Sequence, residues 1–452
     1  MLLPSLILTV ILAVAAAWTF ARLRRLAAIG SGYKAKVLCS IVFGTGRSVD
    51  PLALEEVSAD SYWPLRLFQV HVDRDRRVVT ASLWTFPPRR AAYREGLGAT
   101  LDVGHHPLPT VQRPLPHHGH ETRSSLHVWP TSQGSPALER LVASTFLELD
   151  ATRQRRTRAI LVAHDGRIVA EHYAPGFDAA TRFPGWSMTK SVFNALIGVL
   201  VGEGRLSLED RALMPGWDGQ DPRAAITLAD LLRMRSGLAF SEVYEDLTSD
   251  VIEMLFNRAD AAAFAASRRL EAPPGTTWSY ASGTTNILSA IARRIVGEAD
   301  YLSWPQRALF APLGMTSALI EPDASGTFVG SSFMLATARD WARFGQLYLQ
   351  DGVWQGRRLL PSGWVDFSTR PTPQSPGLIY GAHWWLGLKP ELGGGSAAAA
   401  RIPRDAFFAV GHEGQVLTVI PSRRLVVVRL GLSIYIDAWN HASFLSALLD
   451  AM

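Results

Sequence analysis

Hydrophobic and polar positions divide this chain into stretches of different rhythm. Met1 to Ala21 carries no charged side chain, and about 20 apolar residues are what an α-helix needs to cross a bilayer. A secretory signal has a shorter core, a basic start and a small-residue cleavage site, so residues 1–21 read as an uncleaved membrane anchor. Residues 22–125 have a less legible pattern, an N-terminal extension with one expected strand at Val78 to Trp84. Residues 126–452 are richer in signals. Ala159 to Ala163 and Ile168 to Tyr173 read as two strands around the turn His164-Asp165-Gly166-Arg167. Met188, Val192, Phe193, Ala195, Leu196, Val199 and Leu200 form an apolar run stopped by Gly202-Glu203-Gly204, the pattern of a buried helix. Thr227-x-x-Asp230 opens the next helix as a capping box, and Ser236-Gly237 stops it. Further helices are expected through Val251 to Phe256, Asp260 to Arg269, Asn286 to Val296 and Arg339 to Leu349. A second hairpin joins Val416 to Ile420 and Leu425 to Leu430 through Pro421-Ser422-Arg423-Arg424. Strands at both ends of a helical middle predict an α/β (α+β) fold: one antiparallel sheet flanked by helices, with a mostly helical insertion over about 206–321. There is no internal repeat.

Composition adds exclusions. The 452 residues are 48% hydrophobic and 19% charged, and a charged share below the usual ~25% excludes a disordered chain. The net charge of +5 is spread over dispersed arginines, so nucleic-acid binding is not expected. The single Cys39 excludes an intramolecular disulfide and reads as an apolar residue. Five histidines lie between His105-His106-Pro107 and His117-His118-Gly119-His120. Their spacing follows no compact ligand rule and prolines interrupt it, so this closing part of the extension reads as a solvated linker and no metal or cofactor is expected.

The chain has only four lysines, Lys34, Lys36, Lys190 and Lys389, against 41 arginines. A buried ammonium can give up its proton and act as a base, whereas guanidinium cannot. Lys190 lies three residues after Ser187, and on a helix positions i and i+3 share a face. Ser187 is therefore the candidate nucleophile and Lys190 its activator, with the helix N-terminus favouring an oxyanion. Ser31-Gly32-Tyr33-Lys34 fits the same spacing but sits in a Gly-flanked polar stretch with no helix-forming run behind it. A serine-lysine pair needs a second proton carrier. Tyr280, in Trp278-Ser279-Tyr280-Ala281-Ser282-Gly283 just before a helix, is the candidate, as a phenol driven toward phenolate by the ammonium. Gly411-His412-Glu413-Gly414-Gln415 enters the last hairpin. Its glycines let backbone approach a ligand, and the N–H groups of Gln415 and Ser187 are the candidate oxyanion donors. His412 is a candidate to bind substrate or tune Lys190 and Tyr280.

In order, these motifs resemble the serine β-lactamase and penicillin-binding superfamily, class C-like branch, whose members carry S-x-x-K, then Y-x-N or Y-x-S, then K-T-G or H-x-G. The matches are Ser187 to Lys190, Tyr280-Ala281-Ser282 and His412-Glu413-Gly414, and the resemblance covers about residues 130–450. Four segments look like the 6-aminohexanoate-dimer hydrolase and esterase branch: Gly185 to Ser191, Met234 to Leu238, Tyr380-Gly381-Ala382-His383-Trp384-Trp385 and Gly411 to Gln415. The resemblance implies a β-lactamase/transpeptidase-like fold and a serine hydrolase that cleaves a small-molecule ester or amide through an acyl-enzyme. Its candidate substrate contacts are His412, Gly414, Trp186, Tyr244, Ser282 and Trp384, with Trp278 a further candidate for the pocket wall. Histidine stands where β-lactamases place a carboxylate-holding lysine, and Ser282 replaces the usual asparagine. Both turn the expectation away from β-lactam hydrolysis. The alternatives are a β-lactamase or D-Ala-D-Ala peptidase, or a catalytically silent, membrane-tethered binding protein. Location is expected at the bacterial inner membrane with the catalytic domain in the periplasm. Arg22, Arg24, Arg25, Lys34 and Lys36 point the opposite way by the positive-inside tendency.

Overall fold

The computed structural model describes residues 2–47, 50, 54–104, 129–435 and 437–452. The His105 to His120 stretch lies outside the described residues. Helix α1, Leu2–Gly44, does not end with the apolar segment but runs on for 43 residues. Residues 7–25 are exposed on every side, whereas Ile29, Ala35, Leu38, Cys39 and Ile41 join the main core. The glycines that made this region look like a loop are packing positions. A Cβ at Gly30 would stand 2.4 Å from the Phe68 ring, and one at Gly32 would stand 2.3 Å from the Phe256 carbonyl oxygen. Ser31 and Lys34 are thus helical and not on a polar loop, and Lys34 donates to the carbonyls of Leu65 and Phe68.

The extension folds as an antiparallel meander of β1 Gln69–Asp73, β2 Val78–Ser82, β3 Arg89–Arg94 and β4 Gly98–Asp102. Only β2 was signalled by its apolar run. β1 and β3 carry arginine, aspartate and glutamine on a half-exposed surface, a weak pattern, and β4, Gly-Ala-Thr-Leu-Asp, is buried but has few apolar residues. Several of the meander's buried positions are small, Ala81, Ala91 and Ala99, with Val79, Tyr93 and Leu101 the larger ones, and α1 lies across β2, β3 and β4.

Helix α2 (Pro136–Ser144) leads into a second sheet, of β5 Thr157–His164, β6 Arg167–Tyr173, β7 Phe407–Gly411, β8 Gln415–Ile420 and β9 Leu425–Gly431, in the order β7-β8-β9-β5-β6. Pairing of β9 with β5, Val426 opposite Ala163 and Val428 opposite Leu161, closes the sheet between chain segments far apart in sequence. Both expected hairpins are present, the first through Asp165 and Gly166, each with φ > 0 as a tight turn requires. Both sheet faces are buried, which explains the continuous apolar runs. Ile160 and Val162 meet Leu138 of α2 and Leu445 and Leu448 of the C-terminal helix His441–Ala451. Leu161, Val426 and Val428 face the opposite core.

Between the sheet's halves the chain is largely helical. α3 (Thr189–Gly202) is buried from Thr189 to Leu200, as a helix apolar all round must be. α4 is Leu228–Leu232, opened by the expected capping box of Thr227 and Asp230. α5 is Asp250–Asn257 and α6 Ala261–Ala266, shorter than the expected Asp260 to Arg269. α7 spans Ser282–Val296, four residues earlier than its periodicity suggested. α8, Ala338–Leu349, lies on the sheet.

One buried pair stitches the extension to this body. Lys36 on α1 pairs with Glu321, which also accepts from Ser40 and from the backbone N–H of Ala99 on β4. Both charged side chains are 2% exposed. Removing one partner of such a pair strands a buried charge and costs about 3–5 kcal/mol. Glu321→Ala is therefore expected to lose that much in urea denaturation, and Lys36→Met with Glu321→Leu to lose clearly less. A single variant within about 1 kcal/mol of wild type would overturn the staple.

Candidate active site

The 3₁₀ turn Trp186–Met188 delivers Ser187 immediately before α3. Its geometry is tight, with Trp186 at φ 47°. β7 ends against this turn, where a Cβ at Gly411 would lie 2.2 Å from the Gly185 carbonyl oxygen. The start of β8, at Gln415, also packs on it. Gly411 is thus demanded by a chain crossing. Gly414, with φ 79°, is likewise backed by protein: its Cβ would stand 2.5 Å from the Arg429 guanidinium. Neither glycine is held open toward a ligand by the packing that demands it.

Lys190, 1% exposed, converges with three oxygens. Its Nζ lies 2.9 Å from Ser187 Oγ, 3.0 Å from Ser282 Oγ and 3.0 Å from the Ser331 carbonyl. Ser282 opens α7, and its hydroxyl and backbone N–H both donate to the Glu242 carboxylate. Burial lowers the Lys190 pKa to about 8, with Glu242 pulling it up and Lys389 pushing it down. Burial raises that of Glu242, against the pull of Lys190 and the two Ser282 hydrogen bonds.

Tyr280 presents its ring 4.8 Å from Lys190 Nζ. Burial and Glu242 raise its pKa further than its hydrogen bond with Ser187 lowers it, so the group stays a phenol. The phenolate expected from a neighbouring ammonium does not form, because burial and a nearby carboxylate outweigh it. Lys389 lies 5.4 Å from the Tyr280 ring centroid and 4.4 Å from that of Trp385.

His412 stacks on Tyr244 at 5.1 Å and meets Trp186 edge-on at 5.6 Å. Burial lowers its pKa to about 4, so it is a neutral imidazole at ordinary pH. Its Nε2 is 3.1 Å from the hydroxyl of Tyr62, which also donates to Glu413 at 2.9 Å. Trp186 Nε1 donates to the other Glu413 oxygen at 2.9 Å. Burial raises the Glu413 pKa to about 7, eased by these two donors. Tyr244 is pushed up by burial and Glu242, against hydrogen bonds with Ser282 and Ser187.

The fold therefore gathers Ser187, Lys190, Tyr280, Ser282, Tyr244, His412 and Trp186 around one point. Trp384 is not among them: it is 0% exposed and packs on Phe344, Tyr348 and Phe407. The next residue, Trp385, is the one that meets Tyr280, at 5.5 Å, and Trp278 meets Trp385 at 6.3 Å. The bend at His383, with φ 59°, and the bridge of Trp385 to Phe408 set which of the paired tryptophans reaches the site. Glu242 and Tyr62 were not foreseen. Glu242 sits in a loop with no periodic signal, and Tyr62 comes from the extension 350 residues from His412. Among the described residues no cluster of three or more His, Cys, Asp or Glu is placed to hold a metal ion.

The Beta-lactamase family model matches residues 142–431. A 6-aminohexanoate-dimer hydrolase of Paenarthrobacter ureafaciens is 28% identical over 223 residues, 46% of this chain and 56% of that protein. The chain thus spans about half the length of the curated relative it matches. A solved Bacillus anthracis structure, provisionally described as a 6-aminohexanoate-dimer hydrolase, is 25% identical with a TM-score of 0.51, over 66% of this chain and 78% of that one. A family VIII carboxylesterase shares the fold at 17% identity, with a TM-score of 0.54 over 71% of this chain and 99% of that one.

The tryptophan assignment has a direct check. Trp384→Ala is expected to lower stability by about 3–5 kcal/mol, as large-to-small core changes do. Tyr244→Phe, which removes one hydroxyl, is expected to stay within about 1 kcal/mol. Equal costs in urea denaturation would put Trp384 outside the core.

Proposed function

Because the chain belongs to the beta-lactamase family, we propose that it is a serine hydrolase that cleaves an ester or amide through an acyl-enzyme on Ser187. The observation that carries this reading is the set of partners around the Lys190 amine. Ser282 spends its own proton on Glu242, so its Oγ accepts from Nζ, and the Ser331 carbonyl can only accept. A neutral amine has two protons and one lone pair. Its protons serve Ser282 and Ser331, and the lone pair faces the third partner, Ser187 Oγ.

Lys190 thus takes the Ser187 proton as the hydroxyl oxygen attacks the substrate carbonyl. The backbone N–H groups of Ser187 and Gln415 are the proposed donors to the oxyanion. Tyr280, a phenol whose ring lies 4.8 Å from Lys190 Nζ, passes a proton to the departing alcohol or amine and recovers it through Lys190. Water then attacks the acyl-enzyme with the same base. Trp186, Tyr244, Ser282, His412 and Gly414 are the proposed substrate contacts. The neutral His412 supports esters and simple amides over β-lactams and peptides with a terminal carboxylate, because it offers no positive charge there. The exposed apolar part of α1 is the proposed membrane anchor, supported by its length and composition.

The pH dependence follows from Lys190. The amine is a base only when neutral, so labelling of Ser187 by a fluorophosphonate is expected to rise with pH through about 8. Glu242→Gln removes the charge that raises this pKa, so the inflection moves to lower pH. Lys190→Arg is expected to slow labelling by about 10²-fold or more, and Ser187→Ala to abolish it. Intact mass reads the adduct, and a wild-type profile flat across this range would sink Lys190 as the base.

A further inference from the structure

We propose that the mouth of this site opens at the membrane surface and that the substrate is a membrane-partitioned amphiphile whose ester or amide lies near its headgroup. This rests on the acyl-transfer reading and adds where the substrate comes from. Residues 7–25 of α1 are exposed all round, including Trp18 and Phe20. An apolar helix bare on every side is a lipid-facing helix. It stays continuous with the buried half of α1, so the catalytic body is held at a fixed height.

Two loops flank the helix where it leaves the body. Phe20 meets Phe86 at 6.0 Å, in the β2–β3 connection. Arg25 reaches Glu253 at 2.9 Å and the Thr248 carbonyl at 3.3 Å, at the end of the 241–249 loop. Both loops turn large apolar side chains to the outside: Trp84 is 70%, Leu247 52% and Val243 48% exposed. Trp84 does so with φ 48°, a conformation a bulky residue rarely adopts. Arg22 lies 4.7 Å over the Trp18 ring, the tryptophan-arginine pairing of a bilayer interface, and the exposed Arg24 adds charge suited to lipid phosphates.

The 241–249 loop also walls the site. Alternation along it sends Val243 out while Glu242 holds Ser282 and Tyr244 stacks on His412. Deeper along α1, Tyr33 meets Tyr62 at 5.6 Å, and Tyr62 bonds His412 and Glu413. Eight helical steps from Arg25 to Tyr33 rise about 12 Å into the body, beyond a headgroup layer of about 5–8 Å. An amphiphile drawn partly out of the leaflet can therefore bring its scissile bond to Ser187 while the end of its tail stays in hydrocarbon.

The full-length chain in phosphatidylcholine nanodiscs tests this. Cys39 is buried, so a fluorophore attaches selectively to Trp84→Cys or Leu247→Cys. Nitroxide-labelled phosphatidylcholine is expected to quench both, and to spare Leu149→Cys, an exposed position beside Glu148, which holds the Arg156 backbone. In proteoliposomes, Trp84→Asp with Leu247→Asp is expected to keep fluorophosphonate labelling and hydrolysis of a soluble butyrate ester. Hydrolysis of a long-chain ester embedded in the vesicle should fall at least tenfold. Absence of quenching at positions 84 and 247, or unchanged hydrolysis of the embedded ester, overturns the proposal. A wild type that takes no fluorophosphonate would sink the acyl-transfer reading and this substrate with it, and the quenching would still decide where the mouth lies.

Discussion

The fold around the site is arranged to keep one amine buried with its charge in balance. An ammonium taken out of water loses several kcal/mol of hydration, and Lys190 regains it through three oxygens from three segments: the turn before α3, the start of α7 and the Ser331 carbonyl. Each segment is placed by its own packing. α3 is apolar on all faces and sits at the centre, α7 packs on it, and β7 crosses the Gly185 carbonyl closely enough to require Gly411. Shifting any one of them by an ångström would leave a buried donor or acceptor without a partner.

What sequence made legible follows the range of the forces involved. The two hairpins, the capping box at Thr227 and the buried run after Ser187 are local, and each appears where its pattern puts it. The order of the three motifs brought Ser187, Lys190 and Tyr280 forward before any coordinate. Three features were illegible because their causes are remote. Gly30 and Gly32 resemble helix breakers, yet they exist because Phe68 and the Phe256 carbonyl press on α1. Trp384 and Trp385 are adjacent, and the bend at His383 separates the core ring from the one beside Tyr280. Glu242 and Tyr62 reach the site from segments with no periodic signal.

Lysine scarcity has a broader meaning than first read. Lys34, Lys36 and Lys190 are all nearly buried, and Lys389 sits among aromatic rings beside Tyr280. Lys34 caps carbonyls of the extension and Lys36 anchors it to Glu321. Arginine is buried here too, at Arg158, Arg233 and Arg429, but its rigid fork stays charged, whereas the compact ammonium of a buried lysine can also give up its proton. Rarity therefore marks burial, and only the partners tell a base from a staple.

Those partners also explain why Glu242 is present. A fully buried lysine beside a second cation would drift well below neutrality and become too weak a base to take a serine proton. A carboxylate in direct contact would do the opposite and hold the ammonium charged. Glu242 stands one residue removed, receiving both donors of Ser282 while Ser282 Oγ accepts from Lys190. Its field offsets part of the burial penalty without taking a proton of the amine, and leaves the pKa at about 8. General bases are most effective when their pKa lies near the working pH. The serine between lysine and glutamate relays this field: its single proton is committed to Glu242, so its Oγ can only accept from Lys190.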